Sequence, residues 1–367
     1  MRKSIQIAFI CQILFLGFLC QIQAKGNAGA AGAFLKFGVG AESLGRGNSF
    51  VAVTQDATAS YWNPAGLAFA KNPEVSFMQA NMSLDRKYNF VGFVKPLKKY
   101  SLGINYIRFG VDNIPETRDV NDSRHFNDNN TNGVADAGEY FDANANGMPD
   151  DPVLTTTVDR PGSTLPSQAG VDFLDKNGNG IYDNGTDILL GDVKIFSYFE
   201  DMESALTLSY AKKIREKSAF GINLKYLKHE LFSVSATGFG FDLGFLHEVS
   251  EKTRLGLSIR DIGSYIKFDN TNGTREEFPL QTTFGVLHNF GDKLNASVDL
   301  YKVEDLDLAA RLGLEYWLNN NAAFRLGSDD GEVAFGASFK KNNWKFDYAY
   351  TDRELGVSQR ISAARSF

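Results

Sequence analysis

Residues 193–367 carry strand patterns to the last residue, and within the strands large apolar residues alternate with small or polar ones. Phe220, Ile222, Leu224 and Tyr226 alternate with Gly221, Asn223 and Lys225. Phe239, Phe241, Leu243 and Phe245 alternate with Gly240, Asp242 and Gly244. Leu308 to Tyr316, Val333 to Phe339 and Trp344 to Tyr350 repeat the pattern. A period of two is a strand signal, because successive side chains on a strand point to opposite faces. One face here is large and aromatic; the other is polar, charged or small. A barrel in a bilayer needs that arrangement, with lipid outside and a wet or plugged lumen inside. A soluble sandwich alternates too, so other features must separate the two.

Counting such segments gives about 14 strands: 74–83, 87–96, 98–109, 203–213, 217–228, 236–249, 252–262, 279–290, 293–303, 307–318, 321–328, 332–341, 343–352 and 355–367. Bacterial barrels have even strand numbers. Connections near 97, 214–216, 250–251, 291–292, 319–320 and 342 share one rim and are short. The long ones, 110–202, 229–235 and 263–278, share the other, as in outer-membrane barrels. The chain ends on Phe367, and a terminal aromatic on a last strand is typical of outer-membrane barrels. Arg365 departs from that pattern, which expects an apolar residue there.

Composition narrows the class. Of 367 residues 43% are hydrophobic and 22% charged, which excludes a disordered chain. The 35 Gly and 30 Phe suit short strands and tight turns. A net charge of -6 without a basic block argues against nucleic acid as a partner. Residues 1–24 read as a secretory signal peptide: Arg2 and Lys3, an apolar run from Ile5 to Leu19, and a small residue, Ala24, at the cleavage point. Cys20 fails as a lipoprotein site because Phe18 and Leu19 are bulky. Both cysteines, Cys11 and Cys20, lie inside this leader, so the mature chain is expected to hold no thiol. No later apolar run reaches the roughly 20 residues a spanning helix needs.

Residues 25–72 are rich in Gly and Ala and lack sustained periodicity. They include Gly29–Ala33, Gly38-Val39-Gly40-Ala41, Leu44-Gly45-Arg46-Gly47, Asp56-Ala57 and Tyr61-Trp62-Asn63-Pro64-Ala65-Gly66-Leu67. Pro64 biases Asn63 to extended geometry and Gly66 allows positive φ, so Trp62, Asn63, Pro64, Ala65 and Gly66 form a turn. That turn either leads into the first strand or takes part in gating. Gly38-Val39-Gly40 is no dinucleotide fingerprint, since the third glycine is misplaced and no βαβ unit surrounds it. These motifs resemble the N-terminal region of the PorV/PorQ family, within the FadL-like outer-membrane proteins. The resemblance implies a barrel of about 14 strands over 73–367 with residues 25–72 as a luminal plug. It also implies either a role in type IX secretion and surface attachment, as in PorV-like members, or transport of hydrophobic compounds, as in FadL-like ones.

The insertion at 118–192 carries three oxygen-rich loops. Asp128, Asn130, Asn132, Gly133, Asp136 and Glu139 occupy positions 1, 3, 5, 6, 9 and 12 of a calcium loop. Asp142, Asn144, Asn146, Gly147 and Asp150 fill the first five of those positions, as do Asp175, Asn177, Asn179, Gly180 and Asp183. Calcium takes about 6–8 hard oxygens from a curled loop, and Gly at the sixth place allows the sharp turn. Asn for Asp lowers ligand charge, which suits weak extracellular sites of about 10⁻⁴–10⁻³ M. Calcium is therefore the expected cofactor. Bound calcium would stiffen a large external loop.

No enzyme is expected. His125, His229, His247 and His288 lack ligand spacing, and neither a nucleophile elbow nor a P-loop occurs. The acid pairs Glu276-Glu277 and Asp329-Asp330 read as solvated turns. The expected fold is all-β: a transmembrane antiparallel barrel with an N-terminal luminal plug and a large extracellular insertion, in the bacterial outer membrane. Its expected partners are outer-membrane lipid and either secretion-system proteins or a hydrophobic solute. A soluble, calcium-stabilised extracellular β-domain is the remaining alternative.

Overall fold

A computed structural model describes residues 32–83, 86–119, 173–174, 188–189, 193–232, 234–269, 273–353 and 356–367. Fourteen strands form one antiparallel sheet: β1 (Glu74–Met82), β2 (Lys87–Pro96), β3 (Ser101–Asp119), β4 (Val193–Arg215), β5 (Ser218–Leu231), β6 (Val234–Glu248), β7 (Thr253–Phe268), β8 (Gln281–Phe290), β9 (Leu294–Val303), β10 (Leu308–Trp317), β11 (Ala322–Asp329), β12 (Glu332–Lys341), β13 (Trp344–Arg353) and β14 (Gly356–Ser366). Each pairs with its neighbours in sequence. β14 pairs with β1, from Glu74↔Ser366 to Met82↔Ser358, and closes the ring. Closure leaves no unpaired sheet edge. A short strand, Arg275–Glu277, returns onto β7. The chain divides into two units, the barrel and residues 113–200. In the second, Phe173–Leu174 pairs with Ile188–Leu189.

Burial follows parity along each strand. On β5, Phe220, Ile222, Leu224 and Tyr226 face outward while Gly221, Asn223 and Lys225 are buried. Ile361, Phe324 and Phe335 are 64%, 58% and 55% exposed, whereas Asp299 and Arg360 are 0% and 2% exposed. This is the reverse of a soluble β-domain, whose aromatic rows pack inside. Only a surrounding hydrocarbon phase removes such a belt from water. Arg365 faces outward at the rim, between the rings of Trp344 and Phe367, with its guanidinium 5.4 and 5.1 Å from their centroids. A cation at that level keeps its charge in the headgroup layer and its stem on the aromatics.

The alternation marks only the part of a strand whose outer face is apolar, so several strands run past their expected ends. β3 continues to Asp119 and β4 begins at Val193. The connection expected at 229–235 shrinks to 232–233, since β5 and β6 pair as far as Leu231↔Val234. That expected at 263–278 becomes 269–280. One rim then holds the connections 97–100, 216–217, 249–252, 291–293, 318–321 and 342–343, none longer than four residues. The long connections, 120–192 and 269–280, share the other.

Candidate functional site: a plugged lumen

Residues 32–72 fill the inside of the barrel. They form two 3₁₀ turns, Ala33–Lys36 and Pro64–Phe69, and two short helices, α1 (Ala41–Gly45) and α2 (Ala59–Trp62). Gly32, Gly38 and Gly40, with φ of 70°, 78° and 90°, bound the first 3₁₀ turn and α1, and the extended Asn63 before Pro64 ends α2.

The turn at Asn63 is built as its residues dictate. Asn63 is extended, with φ −161° and ψ 103°, and its Oδ1 accepts from the Ala65 amide at 3.1 Å. Pro64 opens the 3₁₀ turn, where its missing N–H costs nothing. The Asn63 Nδ2 donates to the carbonyls of Val51 and Phe245, each at 3.0 Å, tying the turn to both plug and wall. Trp62 Nε1 donates to Val39 O at 3.0 Å, and the Tyr61 hydroxyl donates to Leu35 O at 2.6 Å. Gly66 does not adopt positive φ. Its role is space: a Cβ there would sit 2.4 Å from Thr54 O.

The inward glycines of the strands have the same purpose. A Cβ on Gly221 would meet Pro64 C at 2.3 Å, and one on Gly244 would meet Asn63 Oδ1 at 2.2 Å. One on Gly327 would meet Gly47 N at 2.0 Å. Plug backbone lies directly on strand backbone, which no larger residue permits.

Charge fixes one half of the plug. Arg46 bonds Glu315 at 2.6 Å, and Arg325 bonds Glu315 at 2.8 Å and Asp347 at 3.1 Å. Lys345 reaches Glu42 at 2.7 Å. Burial alone would raise the Glu42 carboxyl; Lys345, Arg325 and Arg46 overcome it and hold the group well below the usual carboxylate range. Asn48 donates to Asp329 at 2.9 Å, and Arg311 donates to the same carboxylate at 2.8 Å. Asp299 accepts the Phe50 and Val51 amides at 2.8 and 3.1 Å, and Arg360 donates to the Gly38 and Phe37 carbonyls at 2.7 and 2.6 Å. Asp329 is thus no solvated turn residue: it is buried at the end of β11, and only its neighbour Asp330 takes the turn geometry, with φ 52°.

The other half packs by apolar contact. Phe34, Leu35, Tyr61 and Trp62 of the plug cluster with Met78, Tyr88, Phe90, Ile107, Leu227 and Ile266, all on β1 to β7 and mostly toward the long-connection rim. An ordinary lumen is polar there. Beside this cluster β7 carries two successive bulges. Phe239↔Tyr265, Phe241↔Ile262 and Leu243↔Ile259 put two residues of β6 opposite three of β7, twice. Asp261 and Gly263 take φ of 64° and 57° there. The bulges let adjacent residues Arg260 and Asp261 both face inward, and Lys225 bridges Asp261 and Asp242, the latter at 2.6 Å.

Two cavities stand out, one lined by Tyr61, Lys225 and Asp261 and one by Glu42, Asp56 and Lys345; each has about 10 Å³, room for one water molecule. The expected calcium-loop residues, Asp128 to Glu139, Asp142 to Asp150 and Asp175 to Asp183, lie outside the described residues, as does the expected leader. Among the described histidines, His229, His247 and His288 pair singly with Asp201, Ser218 and Thr253.

A family of unknown function, DUF5723, matches residues 201–357, less than half the chain. No curated protein matches. Solved structures do. The CymD monoaromatic hydrocarbon channel is 14% identical with a TM-score of 0.54, covering 90% of this chain and 98% of its own. The toluene transporter TodX of P. putida is 13% identical with a TM-score of 0.52, covering 90% and 99%. A FadL homologue of Pseudomonas aeruginosa is 12% identical with a TM-score of 0.51, covering 90% and 98%. The chain therefore shares the fold of FadL-like barrels: fourteen antiparallel strands, closed, around an N-terminal plug.

Proposed function

We propose that this protein is a bacterial outer-membrane barrel that passes small hydrophobic compounds, with residues 32–72 as its gate. The observation that carries this is the apolar inner lining at the long-connection end, where Tyr88, Phe90, Ile107 and Ile266 meet plug residues Phe34, Tyr61 and Trp62. A hydrophobic solute partitions to such a mouth, and the plug must yield for it to pass. The likeness to two hydrocarbon channels supports the same solute class. The test is toluene uptake by cells producing the full chain. A Ser60→Cys, Asn105→Cys pair replaces side chains that touch at 2.8 Å, so oxidation should lock the apolar half of the plug. Uptake above that of barrel-free cells, lost on oxidation and regained on reduction, is expected. Uptake indifferent to the lock would overturn the gate.

A second reading is the PorV/PorQ one, a type IX secretion or surface-attachment partner. The filled lumen favours it, since a barrel without a passage works through its rims. It predicts no toluene uptake at all and retention of secreted cargo when the gene is deleted. In either reading the 118–192 insertion is proposed to bind calcium through the three loops.

A further inference from the structure

The short-connection rim is unevenly charged. Its β2–β3 corner holds Lys95, Lys98 and Lys99, and its β4–β5 corner holds Lys212, Lys213, Arg215 and Lys217. Lys71 joins them where the plug leaves the lumen for β1. All are exposed, and the one carboxylate in these two turns is Glu216. The two corners are neighbours in space, since Tyr100 stacks on Tyr210 with ring centroids 5.4 Å apart. Among the described residues none of these cations closes an ion pair. At the β6–β7 and β8–β9 turns of this rim, by contrast, Lys252 and Lys293 stand beside Glu251 and Asp292. The whole chain is acidic, with a net charge of -6, so a one-sided basic arc is not a sampling of its composition.

Two further features distinguish the arc from a ring of lysines reaching for headgroups. Apolar side chains sit exposed among the charges: Ile214 at 59% and Leu97 at 39% on the turns themselves. In addition the charge extends inward, because Lys213 lies 4.5 Å from the centroid of the Phe69 ring, at the end of the plug's last 3₁₀ turn. Headgroups border only the outer wall of a barrel, whereas these cations cover the outer wall, the turn tips and the inner mouth.

We propose that this arc, over β1 to β5, docks an acidic protein segment from the periplasm, with Leu97 and Ile214 as its apolar anchors. Short turns face the periplasm in outer-membrane barrels. Unpaired cations around a small apolar centre fit a partner whose carboxylates surround a hydrophobic side chain, giving fast, salt-sensitive association. A partner seated there touches the residues that end the plug, so occupancy and plug position are linked. The proposal is independent of the transported solute and stands or falls separately from it.

The test uses the full chain in detergent micelles and in nanodiscs with and without phosphatidylglycerol. The probe is a fluorescent peptide in which Glu alternates with Leu, and binding is followed by anisotropy. Saturable binding is expected that weakens at least tenfold, about the scale of a lost charge pair, between 50 mM and 500 mM salt. A variant with Lys98, Lys99, Arg215 and Lys217 all changed to Glu should lose it, and the Gln version should weaken it. Changing Lys293 and Lys341 to Glu should leave it within about twofold, because the β8–β9 and β12–β13 turns that carry them do not neighbour the β2–β3 and β4–β5 turns in the strand order. Heat-modifiable migration on gels checks that each variant is folded. Equal loss from both sets of reversals would overturn the proposal. So would an arc variant that keeps the peptide and loses only its retention of phosphatidylglycerol, which would assign the arc to lipid.

Discussion

Gly221 and Gly244 face each other's strand on β5 and β6 and both abut the Asn63–Ala65 turn. Alanine at both would place methyl carbons 2.3 Å from Pro64 C and 2.2 Å from Asn63 Oδ1. Neither partner is a flexible side-chain end: one is backbone and the other is held by three hydrogen bonds. The clash must be relieved by moving the plug turn off the wall. Overpacking of this kind costs about 1–3 kcal/mol. At about 2 kcal/mol the population with the turn undocked rises about 30-fold, since 1.4 kcal/mol is a factor of ten. The expected processed chain has no thiol, so a Ser60→Cys background gives one reporter, at a position 1% exposed on α2. Its maleimide labelling rate follows the open population when opening is fast. The Gly221→Ala, Gly244→Ala pair should label about 30 times faster than its parent, by the same conversion. Ile222→Ala, which trims the outward side chain next to Gly221, should not change the rate. An unchanged rate in a barrel shown to be folded would refute the claim that backbone-to-backbone docking holds the plug.

Arg325→Met should destabilise by about 3–5 kcal/mol in guanidinium titrations, because Asp347 stays buried without its guanidinium and Glu315 keeps only Arg46; adding Asp347→Asn should recover part of that loss. Burial pushes the Lys36 amine down to about 8, opposed by Asp261 and aided by Arg260. Its folded value lies below its unfolded one, so the unfolded chain binds the extra proton between about 8 and 10.5 and stability rises with pH there. Reporter labelling, divided at each pH by the rate of a free thiol because the thiolate is the reacting form, should slow from pH 7.5 to 10, and Lys36→Met should abolish that slope. Isothermal titration of the full chain with calcium should show saturable binding near 10⁻⁴–10⁻³ M. Loss of that binding on Asp128→Ala, Asp142→Ala and Asp175→Ala together is expected; no heat at millimolar calcium would remove the metal from the insertion.

The barrel was legible because lipid and lumen impose opposite chemistry on alternate residues. Phe239-Gly240-Phe241-Asp242-Leu243-Gly244-Phe245 states both faces of β6 in seven letters. The turn at Asn63-Pro64 was legible for a local reason, the fixed φ of proline. What held the plug was not. Arg46 meets Glu315 and Asn48 meets Asp329 across more than two hundred residues, and no local pattern announces such a pair. The available signal was subtler: Arg311, Glu315, Arg325 and Asp347 fall on the inward parity of their strands, where only a filled lumen lets full charges be buried. The bulges of β7 hid for the opposite reason. They break the alternation after Ile259, and Asp261-Ile262-Gly263 reads as the start of a turn.

The two interfaces of the barrel reinforce each other through parity. A slip of one residue in any strand would exchange its faces. On β6 it would turn Phe241 and Phe245 into the plug and leave Gly244 and Asp242 against hydrocarbon. Lipid penalises the second error and the plug the first, so register is specified twice. The charged half of the plug adds a fixed point of ion pairs on β9 to β14, while on β1 to β7 the seal is an apolar cluster with single hydrogen bonds, such as those of Asn105 and Asn223 to Ser60 and of Arg254 to the Ala52 and Val53 carbonyls. Shape-dependent contacts can be remade one at a time, whereas a buried ion pair leaves an uncompensated charge when it opens. In the proposed gate, the side of the plug that moves is the side that meets β1 to β7, where among the described residues no plug–wall ion pair has to be broken and the apolar cluster lines the lumen.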